Sequence, residues 1–501
     1  MNRQLWEHQA VARQMLAQSI ASGHRRPMMQ MPTGAGKTML AASIVEGALR
    51  KGNRVTFVVP AISLIDQTVE SFAAEGITEV GVIQADNPLT DPSKPVQVAS
   101  AQTLQRRKLP ETEIVVIDEA HVWFDLYSKW MARKPETIFI GLSATPWAKG
   151  LGKYFDDLLI PTTIGKLIDG GFLSRFKVFA PSRPDLSKVR VRAGDYRDED
   201  LAVVMGHLVA DVVSTWQEKG EDRPTLCFAV DRAHARQLAN EFEAKGVTTA
   251  YVDAYTTLEE RLAIRRRFHK GEVKVVCNVG TLTTGVDWDV RCVILARPTK
   301  SEMLFTQIIG RGLRSAEGKD YCLILDHSDT TLRLGYVTDI HHDKLDMGEK
   351  KRPDRQRVLA LPTECPKCTF VMPAKASTCA VCGFVAEAVP AIDTVDGRLV
   401  EYVPGRKRNP EPTEALRQRW FSSLLSIADD RGYKIGWAKN AYREAFGHWP
   451  SDLTMIREEP ADDVTEFVRA KTRKYAREQQ AAADAAARST PDNLFAEGAR
   501  A

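Results

Sequence analysis

The chain has 501 residues, and its 69 Lys and Arg against 65 Asp and Glu leave a formal net charge of +4. That length suggests about three domains, and 44% hydrophobic with 27% charged residues is a globular composition, not a disordered one. So small a positive excess excludes an obligate nucleic-acid coat protein, and any nucleic-acid binding must come from local patches.

From residue 1 to about 165, short apolar runs alternate with helical stretches. The N-terminal stretch breaks its apolar positions with Arg3, Glu7 and Arg13, which is no signal peptide. No run approaches the roughly 18 uncharged apolar residues of a membrane span. A cytoplasmic protein without a membrane partner is expected. Strands are predicted at 26–31, 54–60, 96–100, 113–119 and 137–143, with a helix between the first two. Strands alternating with helices imply βαβ units and a parallel sheet covered on both faces.

The first predicted strand runs into Met31-Pro32-Thr33-Gly34-Ala35-Gly36-Lys37-Thr38. Gly34 and Gly36 allow backbone conformations and close approach that a Cβ would block, so successive N–H groups can turn inward on a phosphate. Lys37 supplies a mobile positive charge for the β- and γ-phosphates, and the Thr38 hydroxyl can ligate Mg²⁺. Met31 stands where the strict phosphate-loop pattern has its first glycine. About 80 residues on, an apolar strand ends in Asp118-Glu119-Ala120-His121. Two adjacent carboxylates there are costly unless a cation meets them. Asp118 suits Mg²⁺, directly or through water, and Glu119 suits activation of an attacking water.

Residues 166–200 are more polar and Pro-marked, and are read as a connector. A second α/β pattern occupies 201–335, with strands near 225–230, 249–254, 273–279, 292–297 and 322–327. Near its end, Gln307-Ile-Ile-Gly-Arg311-Gly-Leu-Arg314 sets two arginines three apart, on one face of a helix or turn. Guanidinium groups from a second domain can stabilise the charge spread over a phosphoryl-transfer transition state.

Cysteine usage is uneven. Cys227, Cys277, Cys292 and Cys322 sit singly in apolar runs, while Cys365, Cys368, Cys379 and Cys382 form two Cys-x-x-Cys pairs. Two close pairs supply the four thiolates of a tetrahedral Zn²⁺ site, placed here in a module over 360–388. Its flanks are basic, with Lys350, Lys351 and Arg352 before and Arg406, Lys407 and Arg408 after. Either phosphate contact or plain solvated charge fits them. Residues 411–475 read as helical. There Tyr433, Trp437, Tyr442, Phe446 and Trp449 interleave with Lys434, Lys439, Arg443 and His448. They fit the aromatic core of a small helical domain first, and a stacking surface for unpaired bases second. Residues 476–501 are low-complexity and expected to be disordered. Their Pro491–Phe495 run is either an inert tail or a hook for a replication or repair protein.

Six motifs in order resemble the superfamily 2 DEAD/DEAH-box helicases: Gln9, the phosphate loop, 118–121, Ser143-Ala-Thr145, 281–289 and 307–314. The run from 276 to 327 is most similar to RadD-type bacterial DNA-repair ATPases. The resemblance implies an α/β fold of two tandem RecA-like parallel-sheet domains, with ATP and Mg²⁺ in the cleft between them. A small zinc-ribbon-like module and a helical C-terminal region would follow. It further implies that Gln9 reads adenine, that His121, Ser143 and Thr145 couple hydrolysis to lobe movement, and that Gln307 orders the γ-phosphate. Gly285 and Asp287 would contact nucleotide or the other lobe. Nucleic acid would touch 60–67, 100–103 and 281–284. The expected activity is an ATP-dependent helicase or translocase on DNA, in repair, recombination or replication. An RNA helicase, an ATP-switched DNA-binding scaffold and the motor of a restriction system remain open.

Overall fold

The computed structural model describes residues 4–84, 87–181, 184–192, 194–283, 288–349, 361–374, 376–385 and 413–472. The chain divides into two compact units, 1–389 and 390–501.

The first unit holds two parallel sheets. Strands β1 (Pro27–Gln30), β2 (Val55–Val59), β3 (Val80–Ile83), β4 (Val96–Ser100), β5 (Ile114–Asp118), β6 (Ile138–Ser143) and β7 (Asp157–Leu159) form one, in the order β3-β4-β2-β5-β6-β1-β7. Its central strands are apolar on both faces, and all five residues of β2 and of β4 are buried. Helices must therefore cover both sides, as the alternating pattern requires. β8 (Arg175–Phe179) leaves this lobe for the next. A short hairpin, β9 (Val191–Arg192) with β10 (Asp195–Tyr196), precedes β11 (Thr225–Phe228), β12 (Thr249–Val252), β13 (Val275–Asn278), β14 (Cys292–Leu295) and β15 (Tyr321–Asp326). The second sheet runs β12-β13-β11-β14-β15-β8, all parallel. These two parallel sheets are the architecture expected from the sequence.

The expected connector needs correction. Residues 175–179 are the edge strand of the second sheet, in register with Tyr321–Leu325 of β15. The hairpin behind them is tied to the same lobe, because the Asp195 carboxylate accepts from Thr299 Oγ1 at 2.6 Å and from the Lys300 amide at 2.7 Å. The edge strand Arg-Phe-Lys-Val-Phe alternates polar and apolar residues, a weaker signal than a fully apolar central strand.

After β15 a strap follows, beyond the last strand expected in the second lobe. Residues 336–348 return to the first lobe, where the Asp346 carbonyl accepts from Gly152 N at 2.9 Å. Asp346 Oδ1 accepts from Gly150 N at 3.0 Å and from Gly348 N at 2.6 Å. On the way, the His342 ring packs against Trp147 of the first lobe, tilted, with ring centroids 4.5 Å apart, and meets Glu302 of the second at 2.7 Å.

The four-cysteine module pairs β16 (Thr363–Glu364) with β17 (Val371–Met372) and packs on the edge strand β8. Phe179 bridges to Phe370, and the Ala180 amide donates to the Thr369 carbonyl at 3.0 Å. The second unit has helices at Glu414–Asp430 and Ile435–Phe446, with further helix over 462–472. Phe421, Leu424, Tyr442, Val464 and Val468 form its core. The basic flanks at 350–352 and 406–408 and the Pro491–Phe495 run lie outside the described residues. No described helix is long and apolar enough to cross a membrane.

Candidate ATP site and metal centre

Parallel strands bring their C-terminal ends to one edge, where open α/β sheets bind ligands. β1, β5 and β6 lie side by side, so the phosphate loop, Asp118 and Ser143 converge there. Gly36 adopts φ 74° as it enters the helix Lys37–Leu49, and Gly34 has φ 85°. Both also lack room for a side chain. A Cβ on Gly36 would collide with Gln9, and one on Gly34 would lie 2.6 Å from Leu173 Cδ2.

Gln9 is buried and holds the loop from behind. Its amide donates to the carbonyls of Ala35 and Gly36, each at 3.2 Å, while its Oε1 accepts from the Trp6 amide at 2.9 Å. His8 Nε2 donates to the Ala35 carbonyl at 2.9 Å. Neither of these loop-supporting roles is legible in the sequence, because both depend on where helix Glu7–Ala21 packs.

Lys37 Nζ lies 3.0 Å from Asp118 Oδ1 and 2.5 Å from Glu119 Oε1. Burial pulls its pKa down, but the two carboxylates outweigh that and hold it above its ordinary value. Burial pushes Asp118 up, and the Lys37 charge does not fully offset it. Glu119 ends below its ordinary value, because Lys37, His121 and Arg311 outweigh its burial. The backbone at Glu119 has φ 46°, an uncommon conformation for a residue with a side chain and one that recurs at functional sites.

Next to the acid pair lies a chain of hydrogen bonds across both lobes. Gln307 donates to His121 Nε2 and to Thr145 Oγ1, each at 3.0 Å. His121 Nδ1 lies 2.8 Å from Ser143 Oγ, which also accepts from the Thr145 amide at 3.0 Å. With Nε2 accepting, the imidazole carries its proton on Nδ1, an assignment made from the network. Burial favours the same neutral form by lowering the His121 pKa.

Helix Glu302–Gly312, capped by Ser301, approaches the phosphate loop directly. A Cβ on Gly310 would lie 2.9 Å from Thr33 Cβ, so glycine is what allows the contact. Arg311 on this helix is buried, and its charge acts on Glu119. Arg314 follows beside Gly34 and bridges to Leu173. Lys37, Asp118, Glu119, His121, Ser143, Thr145, Gln307, Arg311 and Arg314 are therefore gathered at one inter-lobe cleft. Gly285 and Asp287 lie outside the described residues. The segments expected to meet nucleic acid include 60–67 and 100–103, which leave the ends of β2 and β4 on the same sheet edge. Thr281–Thr283 follow β13 in the second lobe, and Thr284 is not described.

The four thiols of the cysteine module lie within 4.8 Å of one another. Cys365 and Cys382 sulfurs are 3.6 Å apart, and those of Cys368 and Cys379 are 3.7 Å apart. Tetrahedral Zn²⁺ with Zn–S bonds of about 2.3 Å spaces its sulfurs by about 3.8 Å, so the donor set fits that ion. Each pair sits on a matching turn: Thr369 N donates to the Cys365 carbonyl and Gly383 N to that of Cys379, both at 2.9 Å. Burial of the Cys379 thiol is outweighed by the backbone N–H groups of Cys382 and Val381, which favour its thiolate.

Residues 2–148 match the family described as type III restriction enzyme, res subunit, and residues 206–316 match the helicase conserved C-terminal domain. A 51.5 kDa protein of a Lactococcus phage is 29% identical, spanning 71% of this chain and 77% of its own length. IRC3 of Saccharomyces cerevisiae, which carries an ATP-dependent helicase name, is 30% identical over 64% of this chain, but the match spans only 51% of IRC3. In structure, an HsdR-type restriction subunit fragment from Vibrio vulnificus YJ016 superposes with a TM-score of 0.53 at 22% identity, over 68% of this chain and 69% of that fragment. That likeness concerns the fold. With its ordered motifs meeting at the cleft between two parallel-sheet lobes, the chain belongs to the superfamily 2 helicases.

Proposed function

We propose that the protein is an ATP-dependent helicase or translocase whose substrate is DNA. The observation that carries this reading is the Gln307 link to His121 and Thr145, which makes the state of the ATP site depend on the relation of the two lobes. In the proposed reaction, Lys37 leaves its two carboxylates for the β- and γ-phosphates of ATP. Freed of that ion pair, Glu119 orients a water and takes its proton as the water attacks the γ-phosphorus. The bond to the leaving ADP oxygen then breaks. Arg311 and Arg314 stabilise the charge that develops on the transferred phosphoryl group, and Gln307 senses its presence. Thr38 and Asp118 would hold Mg²⁺, which neutralises phosphate charge when bound. Gln9 supports the loop and, on the family pattern, faces the adenine.

Cys365, Cys368, Cys379 and Cys382 are proposed to hold one structural Zn²⁺. A segment this small has little core of its own, so metal supplies much of its folding free energy. The choice of DNA, and of repair as the setting, rests on the resemblance to RadD-type ATPases. The family matches are equally compatible with an RNA helicase, an ATP-switched scaffold or a restriction motor. ATPase rates against single-stranded, duplex and forked DNA and against RNA, at stated salt, test the reading. Stimulation by RNA alone would overturn the choice of substrate.

A further inference from the structure

Within the second unit, the aromatic residues divide. Tyr442 is fully buried, and Trp437 and Phe446 pack partly into the core. Tyr433 and Trp449 do not, at 43% and 46% exposure, and they stand at opposite ends of the helix Ile435–Phe446. Tyr433 leans on Trp437 at 5.0 Å, while the Arg443 guanidinium lies over Trp449 at 4.6 Å. Both rings are thus steadied by a neighbour while remaining solvent-accessible.

Charge follows the same division. Arg417, Arg419, Arg457 and Lys471 each pair with a carboxylate. Lys434, Lys439 and Arg443, all exposed, have no carboxylate partner among the described residues. Ile435, Lys439 and Arg443 are four apart, so they line one helix face between the two aromatic ends. Residues 431–449 carry four Lys and Arg against one acid, whereas 450–466 carry one Arg against six acids. A unit without basic excess has therefore concentrated its unpaired positive charge beside two accessible rings.

From this arrangement we infer that the helix Ile435–Phe446 and its two flanking aromatics bind single-stranded nucleic acid. Unpaired bases stack on Tyr433 and Trp449, and Lys439 and Arg443 meet the backbone phosphates. Duplex, whose bases are already stacked, can use only the charges. The inference deepens the nucleic-acid reading above and rests on it.

The test is binding of labelled single-stranded oligothymidylate by the full chain, followed by fluorescence anisotropy across a salt series, with ATPase measured separately without nucleic acid. Trp449→Ala should weaken binding about tenfold, with Trp449→Phe retaining most of it. The Lys439→Gln, Arg443→Gln double variant should lower the slope of log affinity against log salt by about 1.4, from roughly 0.7 per phosphate contact. All three should keep the wild-type basal ATPase. Affinity and salt slope unchanged in every variant would overturn the inference and leave the ATPase reading standing, and Trp449→Phe failing as badly as Trp449→Ala would overturn stacking. No binding by the wild-type chain would instead count against the nucleic-acid reading itself.

Discussion

Gln307 of the second lobe donates to Nε2 of His121 in the first, at 3.0 Å, with both side chains buried. His121 is one hydrogen bond from Ser143 and lies 3.4 Å from the carboxylate of Glu119. A displacement of the second lobe must therefore either carry the imidazole with it or strand a buried amide. Leaving such a group unpaired costs about 1–3 kcal/mol. This gives the acid pair and the lobe interface a shared energetic stake, as a two-state motor requires.

Replacing that amide tests the link. Gln307→Glu faces the lone pair of His121 with a carboxylate, a repulsive contact unless the imidazole is protonated. Burial holds the His121 pKa low in the native site, and a new anion would raise it. Nucleic-acid-stimulated ATPase should fall about tenfold at alkaline pH and recover partly as pH drops toward 6, where protonation restores a donor. A pH–rate profile parallel to wild type would contradict the network.

The ion triad predicts a stability effect separable from turnover. Lys37→Ala should abolish hydrolysis, and it leaves Asp118 and Glu119 adjacent without their cation. The destabilisation should be about 2–3 kcal/mol at pH 8, below the full cost of breaking a deeply buried pair, because the groups are partly accessible. Asp118 already has a raised folded pKa, and losing Lys37 raises it further. A carboxyl with a raised folded pKa favours the folded state in acid and loses that contribution as pH rises through the folded value. The penalty should thus shrink toward pH 5 in denaturant melts. A penalty that grows in acid would refute this assignment.

Gly310→Ala addresses the approach of the two lobes. Its Cβ would stand 2.9 Å from Thr33 Cβ, on backbone that cannot simply swing away. Stimulated ATPase should fall by about tenfold while the full-length variant still binds nucleotide through its first-lobe phosphate loop, since near-attack geometry is lost before affinity. Fluorescent-nucleotide titration beside a steady-state assay separates the two. Equal losses in both would point to a damaged loop instead.

The cysteine module predicts one zinc per chain, lost in Cys365→Ser. Because the module covers the edge of β8, metal loss should also free the Ala180 amide, which donates to Thr369. Hydrogen exchange over 175–180 should then accelerate while that of β5 stays protected. Unchanged exchange at β8 would mean that the module folds without metal.

Much of this was legible in the sequence because the chemistry is local. The phosphate loop, 118–121 and 307–314 are each short contiguous motifs, and the first two directly follow or end mostly apolar strands. β3, β7 and β8, all at sheet edges, are harder to read: β3 and β7 have only four and three residues, and β8 mixes polar with apolar positions. The strap at 336–348 carries no strand or motif signal, yet Asp346 ties it to the first lobe by accepting from the Gly150 amide, a contact between residues nearly 200 apart that no local pattern announces. The aromatic stretch at 433–449 fitted both readings, and only burial separates Tyr442 from Tyr433 and Trp449.

The most direct test of the central claim is the ATPase rate of the wild-type chain and of Glu119→Gln, with and without single-stranded and duplex DNA and RNA. DNA should raise wild-type turnover at least tenfold over the basal rate, and Glu119→Gln should be inactive under every condition while remaining folded. Hydrolysis by Glu119→Gln at the wild-type rate, or a wild-type rate indifferent to any nucleic acid, would contradict it.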